Sequence, residues 1–181
     1  MKRSIVMKKV ICIALAMILM LSCFAGCSKK SEGYRIAIVQ QLEHSSLDEI
    51  RHSVEARLQY LAEQKGLTIT VDSFNGQNDA TTLNQIGTQV VADGYDAIIP
   101  IATLAAQCMT TAAESTKTPV IYAAISDPAA ADLTDIDYVT GTSDALNTQS
   151  IMDMMFAVQP DIQTVGLLYS NSEANSTTPI A

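Results

Sequence analysis

Residues Arg35–Phe74, with the sequence RIAIVQQLEHSSLDEIRHSVEARLQYLAEQKGLTITVDSF, contain a complete strand–helix–strand pattern that decides the fold class. The pattern begins with the short apolar run Arg35–Val39 and ends with the alternating run Leu67–Phe74, and both are typical of β-strands. Between them, the apolar residues of Leu47–Gln64 recur at the spacing of one helix face: Leu47, Ile50, Val54, Leu58 and Leu61. A helix between two strands predicts a parallel βαβ unit.

Both ends of this predicted helix carry residues that typically mark helix termini. Ser46 and Glu49 have the spacing of a capping box, in which Ser46 is the N-cap and the Glu49 side chain reaches back to it. Gly66 follows the last apolar residue and fits the position just past the helix, where glycine is favoured.

Strand and helix patterns continue to alternate along the rest of the chain. Further strands are predicted at Tyr95–Ile101, Pro119–Ala124, Ile136–Val139 and Thr164–Tyr169, and further helices after Asn78 and Asp79, at Thr103–Glu114 and at Asp144–Val158. This order predicts an α/β fold, a three-layer αβα arrangement in which helices cover both faces of a parallel sheet. The strand-to-helix loops then meet at the carboxyl edge of the sheet, where such folds bind ligands.

The distribution of these patterns predicts two lobes of unequal completeness. Residues 34–143 would form an N-terminal ligand-binding lobe, and residues 144–181 would begin a second lobe with one helix and one strand. One helix and one strand cannot bury a core by themselves. We therefore expect a complete first lobe and a second lobe that is truncated in this sequence.

Residues 1–27 have the features of a bacterial lipoprotein signal peptide. Basic residues precede the apolar run Val10–Leu21, which is shorter than the about 20 residues that a membrane-spanning helix needs. The tripeptide ending at Cys27 is similar to a lipobox, in which the cysteine thiol is diacylated and the chain is cut just before it. Residues 28–33 would then be a flexible tether, and the mature protein would lie on the extracytoplasmic face of the cell membrane, anchored by lipid.

Two other interpretations of the N-terminus stay open. The segment is an uncleaved signal anchor in one of them, and in the other it is an ordinary signal peptide in which Cys27 is incidental. Cys23 is a weaker competing lipidation site.

The part of the chain after Cys27 is strongly acidic. Four of the 11 Lys and Arg residues and none of the 19 Asp and Glu residues precede Cys27, so 7 basic residues face 19 acidic ones and the formal net charge is −12. Such a surface argues against nucleic acid as a partner. Cys108 is the remaining cysteine and falls in a helical pattern, so we expect a small buried side chain and neither a disulfide nor a metal cluster.

Sequence patterns of nucleotide-binding and hydrolytic enzymes are missing. Val39 is followed by QQLEH without a glycine-rich phosphate loop, and the chain has no P-loop and no G-x-S-x-G. His52 falls within the first predicted helix, and His44 falls in a loop at the carboxyl edge without an identifiable nucleophile. We therefore predict a protein without catalysis and without a cofactor. An extracellular enzyme on a flavodoxin-like sheet, dependent on His44 or Asp127, is the less favoured alternative.

Polar loops follow the predicted strands at the carboxyl edge and would face a common ligand. They comprise residues 40–46, 102–103, 126–128 and 170–176, which are rich in Ser, Thr, Asn, Gln and acids. Helix N-termini next to these loops suit a small polar ligand, especially one that carries a carboxylate.

Read together, these loops resemble those of the ABC-transporter substrate-binding proteins of the tryptophan/tyrosine type, a branch of the type I periplasmic-binding-protein fold. The resemblance extends from about Arg35 to Ser176 and rests on five segments: His44–Asp48, Ala102–Gln107, Ala124–Pro128, Gly141–Asp144 and Glu173–Ser176. It implies a two-lobe clamp that captures a small solute, an amino acid and often an aromatic one, and delivers it to the permease subunits of an ABC importer. A ligand-sensing lobe for a receptor kinase or chemoreceptor is the alternative function.

The resemblance also implies ligand-binding positions. Thr103 and Gln107 would lie at the ligand carboxylate, with His44 and Ser45 at the same edge. The residues implied near the cleft and hinge are Ser126, Asp127, Ser143 and Asp144, and those implied for the second lobe are Asn171, Glu173, Asn175 and Ser176. The chain departs from the family pattern at Ser45, where proline is frequent, and at Leu104, where a small residue or proline is frequent.

Each implied position has a purely structural alternative. Ser143 and Asp144 fit a helix cap, Asp127 fits a turn before proline, and Thr103 fits the cap of the third helix.

Overall fold

The computed structural model describes residues 33–169 and confirms the predicted α/β class. Five parallel strands form one sheet in the order β2-β1-β3-β4-β5. The strands are β1 Tyr34–Gln40, β2 Ile69–Asn75, β3 Ala97–Ile101, β4 Val120–Ile125 and β5 Val139–Ser143. The helices are α1 Ser45–Lys65, α2 Ala80–Ala92, α3 Thr103–Ala113 and α4 Thr148–Val158.

The interior strand β1, which lies between β2 and β3, is mostly apolar because both of its faces are covered. Alternate side chains of a strand point to opposite faces, so Ala37 and Val39 share one face, where they join a buried cluster with Leu83 of α2 and Met109 of α3. Ile36 and Ile38 are also buried and point to the other face, on which α1 packs. The sheet therefore has helices on both sides, as the three-layer prediction required.

Helices α2 and α3 lie side by side, and a glycine permits their close approach. Gly87 of α2 is buried, and a Cβ placed there would lie 2.8 Å from the Cβ of Ala112 and 3.0 Å from Cε of Met109 in α3. These distances are shorter than ordinary van der Waals contact, so the absent side chain sets the spacing of the two helices.

The start of α1 differs from the predicted capping box. Its N-cap is His44, which has an extended backbone. The Nδ1 atom of His44 accepts a hydrogen bond from Ser46 N at 3.3 Å. Ser46 is already helical because Gln40 Nε2 donates to Asp48 Oδ1 at 2.8 Å and holds the first turn close to the end of β1. At the other end the prediction is confirmed, since Gly66 adopts φ 63° past the last helical residue.

The predicted boundaries of the last elements are also wrong. Ser143 and Asp144 do not cap α4, because Ser143 is the final residue of β5 and Asp144 N donates to Ile125 O at 3.1 Å, which extends the β4–β5 pairing. Helix α4 begins later, and Asn147 caps it by accepting a hydrogen bond from Ser150 N at 2.9 Å.

The strand predicted at Thr164–Tyr169 does not form among the described residues. Its side chains Val165, Leu167 and Leu168 are exposed, and helix α4 before it has no buried residue. A strand needs backbone partners on a neighbouring strand, and no strand of residues 33–169 pairs with this segment. The predicted signal peptide with Cys27, and the second-lobe residues Asn171–Ser176, lie outside the described residues.

Candidate ligand-binding site at the carboxyl edge of the sheet

The strand order reverses direction at β1, and this reversal locates the candidate site. The chain passes from β1 outward to β2 and then returns across β1 to β3. Helices α1 and α3 therefore leave the carboxyl ends of neighbouring strands toward opposite faces, which opens a crevice between their N-termini. Open α/β sheets bind ligands in crevices of this kind.

Helix α3 begins from a strained backbone without a side-chain cap. Its N-cap residue Ala102 has φ 76° and ψ 162°, a region that residues other than glycine rarely adopt. The conformation is held from both sides, because Ala102 N donates to Ala123 O at 3.0 Å and Ala102 O accepts from Ala106 N at 3.0 Å. Strain of this kind clusters at functional sites, and here it lies directly before the first turn of α3, beside the crevice.

Thr103 is the first residue of α3 and is buried, with only 8% of its surface exposed. Its hydroxyl Oγ1 is inaccessible and has no hydrogen-bond partner among residues 33–169. A buried hydroxyl without a partner costs free energy, typically ~1–3 kcal/mol, and the positive end of the helix dipole lies beside it. Together they would suit a negatively charged oxygen. The helix cap that the sequence allowed does not form, because Ala102 is the N-cap of α3 and the Thr103 hydroxyl makes no hydrogen bond among residues 33–169.

Gln107 lies one turn further along α3, and its amide contacts the loop after β4. Its Nε2 donates to Ala131 O at 3.1 Å. In the same loop Asp127 Oδ1 accepts from Ala130 N at 2.9 Å, and Asp127 O accepts from Ala131 N at 3.1 Å. Asp127 therefore forms the turn before Pro128 that the sequence also allowed, and Gln107 fixes that turn against α3.

The carboxyl ends of β4 and β5 bring Ser126, Ser143 and Asp144 together. Ser143 Oγ donates to Ser126 O at 3.4 Å and accepts from Ala145 N at 3.2 Å. Just before them, Ala124 has φ 58°, where the β4–β5 register shifts. A second strained alanine thus stands at the same edge of the sheet.

His44 and Ser45 lie at the start of α1 on the other side of the crevice, and both are exposed. His44 uses Nδ1 to cap α1, so it has a structural role in addition to its position. Among residues 33–169, the predicted first-lobe residues therefore lie toward one edge of the sheet, at the starts of α1 and α3 and after β4 and β5.

Sequence reasoning missed Gln41, which joins three segments at this edge. Gln41 is 7% exposed, its Oε1 accepts from Leu104 N at 3.0 Å, and its Nε2 donates to Asn78 Oδ1 at 2.8 Å. The available signal was the pair of amides Gln40 and Gln41 directly after the apolar run Ile36–Val39, since a buried amide must find partners.

The described residues offer little for catalysis or metal binding. Residues 33–169 contain no group of three or more His, Cys, Asp or Glu side chains that could hold a metal ion. Cys108 is buried as predicted, and burial raises the pKa of its thiol, which keeps it protonated and unreactive. None of the helices within this range is long and apolar enough to cross a membrane.

A family model described as ABC transporter substrate binding protein matches residues 35–181. The chain belongs to this family. Among curated proteins it is similar to a tyrosine-binding protein of Clostridioides difficile (strain R20291), with 30% identity covering 93% of this chain and 54% of that protein. The fold described above is therefore that of a substrate-binding protein family.

Solved structures of this family share the fold. A domain from Streptococcus pneumonia in complex with L-Trp has a TM-score of 0.72 and 34% identity, and the match covers 82% of this chain and 51% of that one. A ligand-free, open substrate binding protein with adhesive properties from Clostridium difficile has a TM-score of 0.66 and 31% identity over 81% of this chain and 51% of that one. The chain thus spans about half the length of these substrate-binding proteins.

Proposed function

We propose that this substrate-binding protein captures an amino acid, preferably an aromatic one, and delivers it to the permease of an ABC importer without altering it. The observation that carries the proposal is the buried, unpartnered hydroxyl of Thr103 at the N-terminus of α3, in the crevice where the strand order reverses. The ligands of two similar proteins, tyrosine and L-Trp, support the choice of ligand class.

The ligand carboxylate would bind at the start of α3. There the Thr103 side chain would rotate so that its buried hydroxyl donates to one carboxylate oxygen, and the helix dipole would stabilise the charge. Ser126 and Ser143 at the ends of β4 and β5 would line the far side of the crevice, and the turn at Asp127 would keep its shape through Gln107.

The rest of the clamp would come from a second lobe that begins after β5. The exposed apolar residues of α4 and of Thr164–Tyr169 support this, because such side chains become buried once further strands and helices pack on them. In this proposal Asn171, Glu173, Asn175 and Ser176 supply the second lobe's half of the site, and the lobes close around the ligand by a hinge motion.

The protein would act outside the cytoplasm, held at the membrane by a lipid on Cys27. The lipobox-like sequence and the basic, apolar and small-residue order of residues 1–27 support this location. Replacement of Cys27 by serine would abolish incorporation of labelled fatty acid and release the protein from the membrane fraction. Unchanged labelling would contradict the anchor alone and leave the ligand proposal intact.

The ligand proposal is tested by calorimetric titration of the full natural polypeptide with L-tryptophan and L-tyrosine, and with tryptamine and tyramine, which lack the carboxylate. We expect the amino acids to bind and the amines to bind at least tenfold more weakly. Thr103→Val, which keeps the side-chain shape, should lower amino-acid affinity by about tenfold, because one charge-assisted hydrogen bond contributes on the order of 1.5 kcal/mol.

Thr110→Val is the matched control for this experiment. Thr110 is in the same helix and is equally buried, and its hydroxyl also has no partner among residues 33–169, but it lies two turns from the crevice. It should leave the affinity unchanged. Equal affinities for amino acids and amines, or equal effects of the two valine variants, would contradict the proposed site.

A further inference from the structure

We propose that Gln41 is a positioning residue whose neutral carboxamide orients the start of α3 and preserves its preference for a carboxylate ligand. The inference rests on the proposed function, since it concerns how the same site selects a negatively charged group. It assigns this role to a side chain that does not itself need to touch the ligand.

All four hydrogen-bonding groups of Gln41 are occupied by three separate segments. Its backbone N–H donates to Ile101 O at 3.1 Å, at the end of β3, and its carbonyl accepts from Asn78 N at 2.8 Å. Its side chain accepts from Leu104 N at 3.0 Å and donates to Asn78 Oδ1 at 2.8 Å. Gln41 therefore joins the end of β1 to the β2–α2 loop and to the first turn of α3.

The conformation of the β2–α2 loop positions Asn78 for its hydrogen bonds with Gln41. Gln77 and Asn78 both have positive φ, 53° and 55°, a region that is uncommon for residues other than glycine and that asparagine enters more readily than glutamine. Gly76 N donates to Gln40 O at 2.8 Å and Asn75 Oδ1 accepts from Gln77 N at 2.8 Å, so this loop closes around the two amides. Because the Leu104 N–H can only donate, the Gln41 carboxamide has one orientation, with its oxygen toward α3.

The ligand preference of the site depends on which group accepts the hydrogen bond from Leu104 N in the first turn of α3. A helix start usually receives a side-chain oxygen from its own N-cap, often an aspartate, but the N-cap of α3 is Ala102. Gln41 supplies that oxygen from another segment without adding a charge. An aspartate or glutamate in this place would neutralise the helix dipole and repel a carboxylate at Thr103, so the amide keeps the positive end of α3 available.

The decisive variant is Gln41→Glu in the full natural polypeptide. The new side chain can still accept from Leu104 N, and the Asn78 amide can turn to donate to it, so the bonds are conserved while a charge is added. We expect affinity for L-tryptophan to fall at least tenfold and affinity for tryptamine to fall less than twofold. The loss should deepen as pH rises and the introduced carboxyl ionises, whereas the unsubstituted protein should show no such trend.

Asn78→Asp is the matched control, because it makes the same amide-to-carboxylate change in the same cluster, and no hydrogen bond joins Asn78 to α3 among residues 33–169. It should lower L-tryptophan affinity less than Gln41→Glu does. Ala102→Asp is a second test that leaves every bond of Gln41 in place and adds a charge at the N-cap of α3, and it should reproduce the selective loss. Circular dichroism melting of each variant establishes that it folds, and if Gln41→Glu does not, Ala102→Asp decides.

The outcomes separate the inference from the proposed function. If the unsubstituted protein binds neither amino acid, the proposed function fails and the inference fails with it. If it binds them, but the charged variants lose L-tryptophan and tryptamine equally or lose neither, Gln41 has only a structural role and the inference alone is overturned.

Discussion

The phenol of Tyr95 donates a 2.7 Å hydrogen bond to Asp72 Oδ2, and this bond ties the segment before β3 to the middle of β2 across β1. Arg35 completes the cluster, with its guanidinium carbon 4.2 Å from the centre of the Tyr95 ring and Nη2 3.5 Å from Asp72 Oδ2. Burial, followed by the hydrogen bond to Asp72, raises the pKa of Tyr95 to about 12. Tyr95 therefore connects the segment before β3 to Arg35 in β1 and to Asp72 in β2.

A pH dependence of stability follows from this raised pKa. Because the pKa in the folded state, about 12, exceeds the ordinary value of 10.0, the contribution is fully present below pH 10 and is lost as pH rises toward 12. The free energy of unfolding should fall in that range by up to about 1.4 kcal/mol per pH unit from this group. Urea denaturation between these pH values measures it.

Tyr95→Phe is the control, since it removes the ionisable group and keeps the ring. The difference in unfolding free energy between the two proteins should shrink from pH 10 to pH 12. A difference that stays constant over this range would contradict the assignment.

Ala102→Gly should stabilise the protein, because glycine adopts φ 76° and ψ 162° without the strain that alanine suffers there. Relief of about 1–3 kcal/mol outweighs the roughly 0.4–1 kcal/mol lost through a more flexible unfolded chain. The expected net gain is about 1 kcal/mol in urea denaturation. Ala105→Gly, in the same helix with ordinary backbone, should instead destabilise, and a stabilising effect there would show that strain relief is not the cause.

Gly87→Ala should destabilise the packing of α2 on α3 although alanine favours helices. The new methyl group would lie 2.8 Å from the Cβ of Ala112, and overpacking typically costs ~1–3 kcal/mol against a helix-propensity gain of about 1 kcal/mol. The double variant with Ala112→Gly should recover part of the loss. Unfolding free energies that simply add would contradict contact between the two positions.

Glu55 should contribute an acid-sensitive part of the stability. Burial alone would raise the pKa of its carboxyl, but hydrogen bonds from Ser73 and Arg51 outweigh burial and lower it from 4.5. A lowered pKa gives stability that is present above the ordinary value and is lost as pH falls through the folded-state pKa. Glu55→Gln should therefore reduce the drop in melting temperature between neutral and acid solution, and Ser73→Ala should reduce it partly.

Local patterns were sufficient to predict β1, α1 and the layered sheet, because apolar periodicity directly reflects which faces are buried. Local patterns were insufficient where a residue distant in the sequence determines the secondary structure. Asp144 extends β5 since it bonds to Ile125, which moved the start of α4 to Thr148. Thr164–Tyr169 has strand-forming residues but no neighbouring strand among residues 33–169.

The same limit applies to the candidate site. Its location at the carboxyl edge follows from strand order. The residues His44, Thr103, Ser126 and Ser143, taken from the polar loops and the family resemblance, lie at that edge, and their contact with a ligand stays a prediction. Gln41 was missed because its partner Leu104 lies 63 residues away in the sequence. The N-cap of α1 was missed because histidine is an uncommon acceptor at that position.

Contacts over such sequence distances also set the order in which the molecule can assemble. The crevice cannot exist until β3 has docked beside β1, because Ile101 and Leu104 reach Gln41 only then. Parallel pairing of this kind is slow, because the chain loses conformational entropy before the stabilising contacts between the strands have formed. We expect amide hydrogen exchange to find the crevice among the last parts of the sheet to become protected during refolding.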